Sequence, residues 1–177
     1  MTTLLLNPPI TSPRDLLQSM RVRGHAALSP SGLCELVPAT LPELDALRPS
    51  WNDLPPDAYL RDGGRYRRRR HSCFVVEGEA VQHRAHWQPI EYNALHGGLE
   101  RWFEPMRADV LAQPVWSRML VALSAQCSAW TRPQPWFVEA HQFRIDTTDG
   151  IGRPTPEGAH RDGVDFVAVL LVSRVQV

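Results

Sequence analysis

Trp136-Phe137-Val138-Glu139-Ala140-His141-Gln142-Phe143-Arg144-Ile145-Asp146 has the two-residue period of an extended chain. Phe137, His141, Phe143 and Ile145 fall on one face, and Val138, Ala140, Gln142 and Arg144 on the other. A strand is predicted here. Immediately upstream the period changes, because Trp116, Met119, Leu120, Leu123, Cys127 and Trp130 recur at helical spacing. Pro105 and Pro114 cut the preceding stretch, so residues 99–130 read as two helices whose apolar faces cover a sheet.

Farther upstream, Arg65 to Val76 reads as extended after the turn signal Asp62-Gly63-Gly64, which closes a loop rich in Pro, Asp and Gly that begins at Asp53. Two helix starts precede it. Ser12 caps one, with Pro13 in its first turn and Asp15 three residues on, and Gly24 ends it. Thr40 and Glu43 form the capping-box spacing of the other, which runs through Leu44 and Leu47 to Pro49.

Downstream of the central strand, Thr147 to Gly158 is a Gly/Pro/Thr-rich connection of a length that suits a functional site. Val164 to Val175 is apolar and rich in β-branched residues, the pattern of a strand buried on both faces. The order is helices, basic extended segment, helices, strands. It predicts an α+β fold with helices packed on a sheet, in a single domain over 1–177 whose residues 1–50 form an N-terminal helical part.

Composition narrows the function. The 43% hydrophobic and 21% charged residues are those of a folding chain, and 16 prolines point to many turns. The 19 basic residues, all arginine, cancel 19 acidic ones. Without lysine there is no Schiff-base chemistry and no phosphate loop that needs a Gly-Lys pair. The zero net charge argues against a nucleic-acid partner, although Arg67 to Arg70 form a run. Alternation would split those arginines between two faces, where Asp62 or Glu77 can pair with some and one or two can hold a substrate carboxylate. Cys34, Cys73 and Cys127 include no C-x-x-C pair, and read as buried small hydrophobes of a cytoplasmic protein. No membrane span or signal peptide is expected, since the apolar runs are short and the start lacks a basic region. The 6 tryptophans read as core, and His83 and His86 as part of an exposed loop.

His160-Arg161-Asp162 sits between the long connection and the last apolar segment. In extended backbone the imidazole and the carboxylate share one face and can converge on a metal while Arg161 points away. That is two thirds of a two-histidine, one-carboxylate iron site. A bare H-x-D triplet is also the polar turn before an ordinary strand, and its spacing alone does not choose.

The wider stretch Pro154-Thr155-Pro156-Glu157-Gly158-Ala159-His160-Arg161-Asp162-Gly163-Val164-Asp165-Phe166-Val167-Ala168 resembles the metal-binding segment of a family of bacterial 2-oxoglutarate-Fe(II) dioxygenases. That group includes free amino acid hydroxylases such as isoleucine 4-hydroxylase. Leu60 to Arg70 and His141 to Ile145 resemble the same family, so the likeness runs from about Trp51 to the last residue.

The resemblance implies a double-stranded β-helix (jelly-roll, cupin-like) core with the N-terminal and central helices outside it. It implies Fe(II) held by His160 and Asp162, with 2-oxoglutarate and dioxygen as cosubstrates and a small substrate, a free amino acid, as the molecule hydroxylated. Gln142, Arg144 and Arg68 are candidates to touch cosubstrate or substrate. The family's third ligand is a histidine on a later strand, followed by an arginine for 2-oxoglutarate, and no histidine follows Asp162. The expectation is therefore an N-terminal fragment: residues 51–177 would be the first part of the core without its C-terminal strands, inactive alone and able to self-associate through the last strand. In a complete chain, His141 or His96 would have to supply the third ligand. The alternative is a non-catalytic β-helix binding module that has lost the metal site.

Overall fold

The computed structural model describes residues 9–60, 65–85, 102–147, 150, 152 and 163–175. Ser12 accepts a hydrogen bond from the Arg14 backbone N–H and opens a 3₁₀ turn, Pro13–Asp15, that runs into α1 (Leu16–Arg23). Gly24 closes α1 at φ 73°, a left-handed conformation that glycine adopts without a Cβ penalty. Helix α2 (Pro30–Leu36) was not expected. Its start is written in the same chemistry, since Ser29 accepts from the Gly32 N–H and Pro30 fills the first turn.

Thr40 and Glu43 make the reciprocal capping box that opens α3 (Leu41–Asp45). The helix is shorter than its apolar spacing suggested, and a 3₁₀ turn, Arg48–Trp51, carries Leu47 onward into the core. The backbone N–H of Thr40, then Arg118, hold the Glu43 carboxyl down at about 2 from its ordinary 4.5. A depressed folded-state value stabilises above the unfolded value and is lost as pH falls through the folded one. The stability difference between the protein and Glu43→Gln is therefore expected to be constant above about pH 4.5 and to shrink between there and pH 2. Urea titrations across that window check it, and a difference independent of pH would remove the carboxylate from the cap.

Among the described residues, three strands form one antiparallel sheet in the order β2-β1-β3. They are β1 (Arg67–Glu77), β2 (Ala80–Arg84) and β3 (Trp136–Ile145), so two of the three predicted extended segments are strands. His83 lies on β2 opposite Phe74, not in a loop, and its ring sits 5.4 Å from that of Phe74. The long pairing is β1 with β3, with His71 opposite His141 and Cys73 opposite Glu139.

One face of the sheet is covered by helix. Phe74 and Val76 of β1 pack with Trp116, Met119 and Leu120 of α5 (Pro114–Trp130), beside Val110 of the short helix α4 (Ala108–Leu111) and Met106 just before that helix. The two helices divide at Pro114, as the sequence implied. Trp136 donates to Ser128 Oγ at 2.8 Å and ties the start of β3 to α5.

Residues 163–175 follow a different course from the one their apolar pattern predicts. Among the described residues they pair with no strand, and Val169 and Leu171 are 87% and 79% exposed. An apolar β-branched run reports the tendency to be covered, not the presence of a cover. Phe166 reaches back, its ring 5.7 Å from that of Trp136. Among the described residues no helix is long and apolar enough to cross a membrane.

Candidate functional site

Alternation along β1 sends Arg67, Arg69, His71 and Cys73 to the face opposite the helices, and the register sets Ile145, Phe143, His141 and Glu139 beside them. A polar, aromatic cluster results, and its β1 side is buried. Arg67, Arg69, His71 and Cys73 are between 0% and 7% exposed.

Charge in this cluster is matched internally. Asp57, whose side chain is inaccessible to solvent, meets Arg67 Nε at 2.8 Å and Arg69 Nη1 at 3.8 Å. Arg70 pairs with Glu104 at 2.9 Å, so among the described residues Asp57 and Glu104 are the acidic partners of the run, while Asp62 lies outside the described residues. The Arg69 guanidinium lies over Phe103 at 3.7 Å and Phe143 at 4.6 Å, so ring faces take part of the role of water around it.

Arg69 Nη2 donates to His141 Nδ1 at 2.7 Å. Arginine has only donors, so Nδ1 is the acceptor and the ring proton sits on Nε2, 4.0 Å from Glu139 Oε2. The rings of His71 and His141 stack at 4.3 Å, and His141 continues the stack onto Phe143 at 5.5 Å. His141 is therefore the half-buried, hydrogen-bonded histidine that its apolar neighbours suggested.

Beside it, one ligand atom each from His71, Cys73 and Glu139 lies within 4.8 Å of the others, and His71 Nε2 is 3.7 Å from Cys73 Sγ. These three could hold a metal ion. They do not fit a non-haem iron oxygenase site, which takes two imidazoles and a carboxylate. The cluster offers one imidazole and a thiol, and His141 cannot complete it while Nδ1 serves Arg69 and its ring lies parallel to that of His71. The sequence did carry a signal for this group: His71-Ser72-Cys73 has the same i, i+2 spacing as His160-Arg161-Asp162.

His160 and Asp162 lie outside the described residues, as does His96. Gln142, Arg144 and Arg68 are brought together, but on the helix-covered side of the sheet, where Arg68 is the register partner of Arg144. Each reaches the segment after α3. Gln142 donates to Ser50 Oγ at 2.7 Å, Arg68 to the Leu54 carbonyl at 3.1 Å and Arg144 to the Asn52 carbonyl at 3.4 Å.

Three comparisons bear on what this arrangement belongs to. A bsmA homolog from Methylobium petroleophilum PM1, known from a crystal structure, is 48% identical with a TM-score of 0.78 over 89% of this chain. The match spans 65% of that protein, so this chain corresponds to less than two thirds of its length. The crystal structure of IDO from Bacillus thuringiensis is similar in fold alone, at 14% identity and a TM-score of 0.52, over 76% of this chain and 57% of that one. No curated protein matches. The model of the 2OG-Fe dioxygenase family matches residues 48–177, which include Asp57, all three strands and the H-x-D triplet. On that match, the chain belongs to the 2OG-Fe dioxygenase family.

Proposed function

We propose that the protein is an Fe(II)- and 2-oxoglutarate-dependent dioxygenase that hydroxylates a small substrate, a free amino acid, inside a double-stranded β-helix. The observation that carries this reading is the family match over 48–177, within which His160 and Asp162 have the spacing of two ligands on one face of an extended chain. Iron with 2-oxoglutarate and dioxygen supplies the oxidant for hydroxylation in this family. His160 and Asp162 hold the metal and move no proton.

The chain's own contribution at the described face is electrostatic. Arg67 and Arg69 are held against the buried carboxylate of Asp57, which fixes the polar side of the β1–β3 pair. Rings of Phe103 and Phe143 hold the Arg69 guanidinium in place.

The test is succinate release by the full-length protein supplied with Fe(II), 2-oxoglutarate and a panel of amino acids. Release that depends on iron and on one class of amino acid is expected, and His160→Ala should abolish it. Turnover that survives the substitution removes His160 from the site. Absence of both iron binding and succinate release would favour a binding module that keeps the fold without the chemistry.

A further inference from the structure

The geometry points to a second metal site, for a thiophilic divalent ion with zinc first, formed by His71 Nε2, Cys73 Sγ and the Glu139 carboxylate. It is independent of the reading of His160 and Asp162.

The His71–Cys73 spacing is that of two ligands about one ion, and a rotation of the Glu139 side chain brings its carboxylate to the same point. With zinc–sulfur and zinc–nitrogen bonds of about 2.3 and 2.0 Å at a tetrahedral angle, sulfur and nitrogen stand about 3.5 Å apart. His71 Nε2 and Cys73 Sγ stand at 3.7 Å, and all three ligand atoms fall within 4.8 Å. The backbone imposes this placement. Residues 71 and 73 share a face of β1, and the β1–β3 register sets Glu139 directly opposite Cys73.

The donor chemistry selects the ion. A thiolate beside an imidazole and a carboxylate is a zinc donor set, and three protein ligands leave a fourth position for water. Thiolate and carboxylate together neutralise the ion, which suits a place where His71 and Cys73 are 2% and 0% exposed. Glu139, with a quarter of its side chain exposed, gives the ion a way in.

A supporting shell stands behind the ligands. His141 carries its proton on Nε2, facing Glu139, because Arg69 occupies Nδ1. Arg69 is itself fixed between Phe103 and Phe143. A histidine N–H oriented toward a ligating carboxylate is the usual outer partner of a metal ligand.

Zinc chloride titrated into chelator-stripped protein against a chromophoric chelator reads the affinity, and Co(II) in its place reads the ligand. One equivalent of zinc and a thiolate-to-cobalt charge-transfer band in the near ultraviolet are expected. Cys73→Ser should abolish the band and weaken zinc about a hundredfold or more, since even outer-shell changes cost 10 to 100-fold. Glu139→Gln, at a less buried position, should weaken zinc about as much while retaining the cobalt–thiolate band at saturating cobalt. Far-ultraviolet dichroism of the metal-free variants shows whether each is folded. The variant His160→Ala/Asp162→Ala should keep both the zinc equivalent and the band. Loss of zinc in that variant alone would place the ion at the H-x-D pair and overturn the inference, as would zinc affinity unchanged in folded Cys73→Ser and Glu139→Gln.

Discussion

Asp57→Ala should cost about 3 to 5 kcal/mol, a large share of the 5 to 15 kcal/mol that holds a typical domain together. The carboxylate is wholly buried and faces two guanidinium groups, at 2.8 Å to Arg67 and 3.8 Å to Arg69. Its other oxygen accepts from the Tyr59 backbone N–H at 2.9 Å, so it also holds the turn that follows it. Removing it leaves two cations in a poorly solvated place with an excess of positive charge, and that penalty, more than a lost contact, sets the size of the effect. The backbone here stays paired, since Asp57 N donates to the Arg67 carbonyl and Arg69 N to the Pro55 carbonyl, each at 3.0 Å. The fold should therefore survive in weakened form. Urea unfolding measures the loss. Asp57→Asn keeps the turn hydrogen bond and should lose less. The double change Asp57→Leu with Arg67→Met, which removes charge from both sides, should also be more stable than Asp57→Ala. A loss below about 1 kcal/mol in Asp57→Ala would mean that water reaches the pair.

What could be read from the sequence was local. Ser12, Gly24, Thr40 with Glu43, and the Trp116–Trp130 spacing each announce structure within a few residues of themselves, and each stands where expected. Helix α2 escaped because seven residues containing Gly32 show too little periodicity, although Ser29-Pro30 was a usable start signal. The neighbours of β1 could not be read at all. Strand order and register are long-range properties, and a slip of one residue would have sent His71 and Cys73 to the helix-covered face. The same limit explains Gln142, Arg144 and Arg68. Alternation put the first two correctly on one face, but only the packed helices show which face that is. The basic run behaved similarly, since its splitting between two faces was legible and its partners, Asp57 and Glu104, were not.

Phe74→Ala should cost a further about 3 to 5 kcal/mol, by a route that leaves the polar face alone. Phe74 is 2% exposed on the helix-covered side of β1, with the rings of Trp116 and His83 at 6.0 and 5.4 Å. It is the side chain through which the centre of the sheet meets α5. Truncation removes the transfer energy of a benzyl group and leaves a cavity that a strand paired on both edges and a helix of 17 residues cannot close. Phe74→Leu, which keeps most of the volume, should lose much less. In a double-mutant cycle with Trp116→Ala the two changes should couple by about 0.5 to 1.5 kcal/mol, the range for an aromatic pair. Because Cys73 and Phe74 point to opposite faces, zinc stoichiometry should be unchanged in Phe74→Ala at temperatures where it is folded. If stability and metal binding fell together there, the two faces would act as one unit, and the separation of core from site along alternate residues of β1 would be wrong.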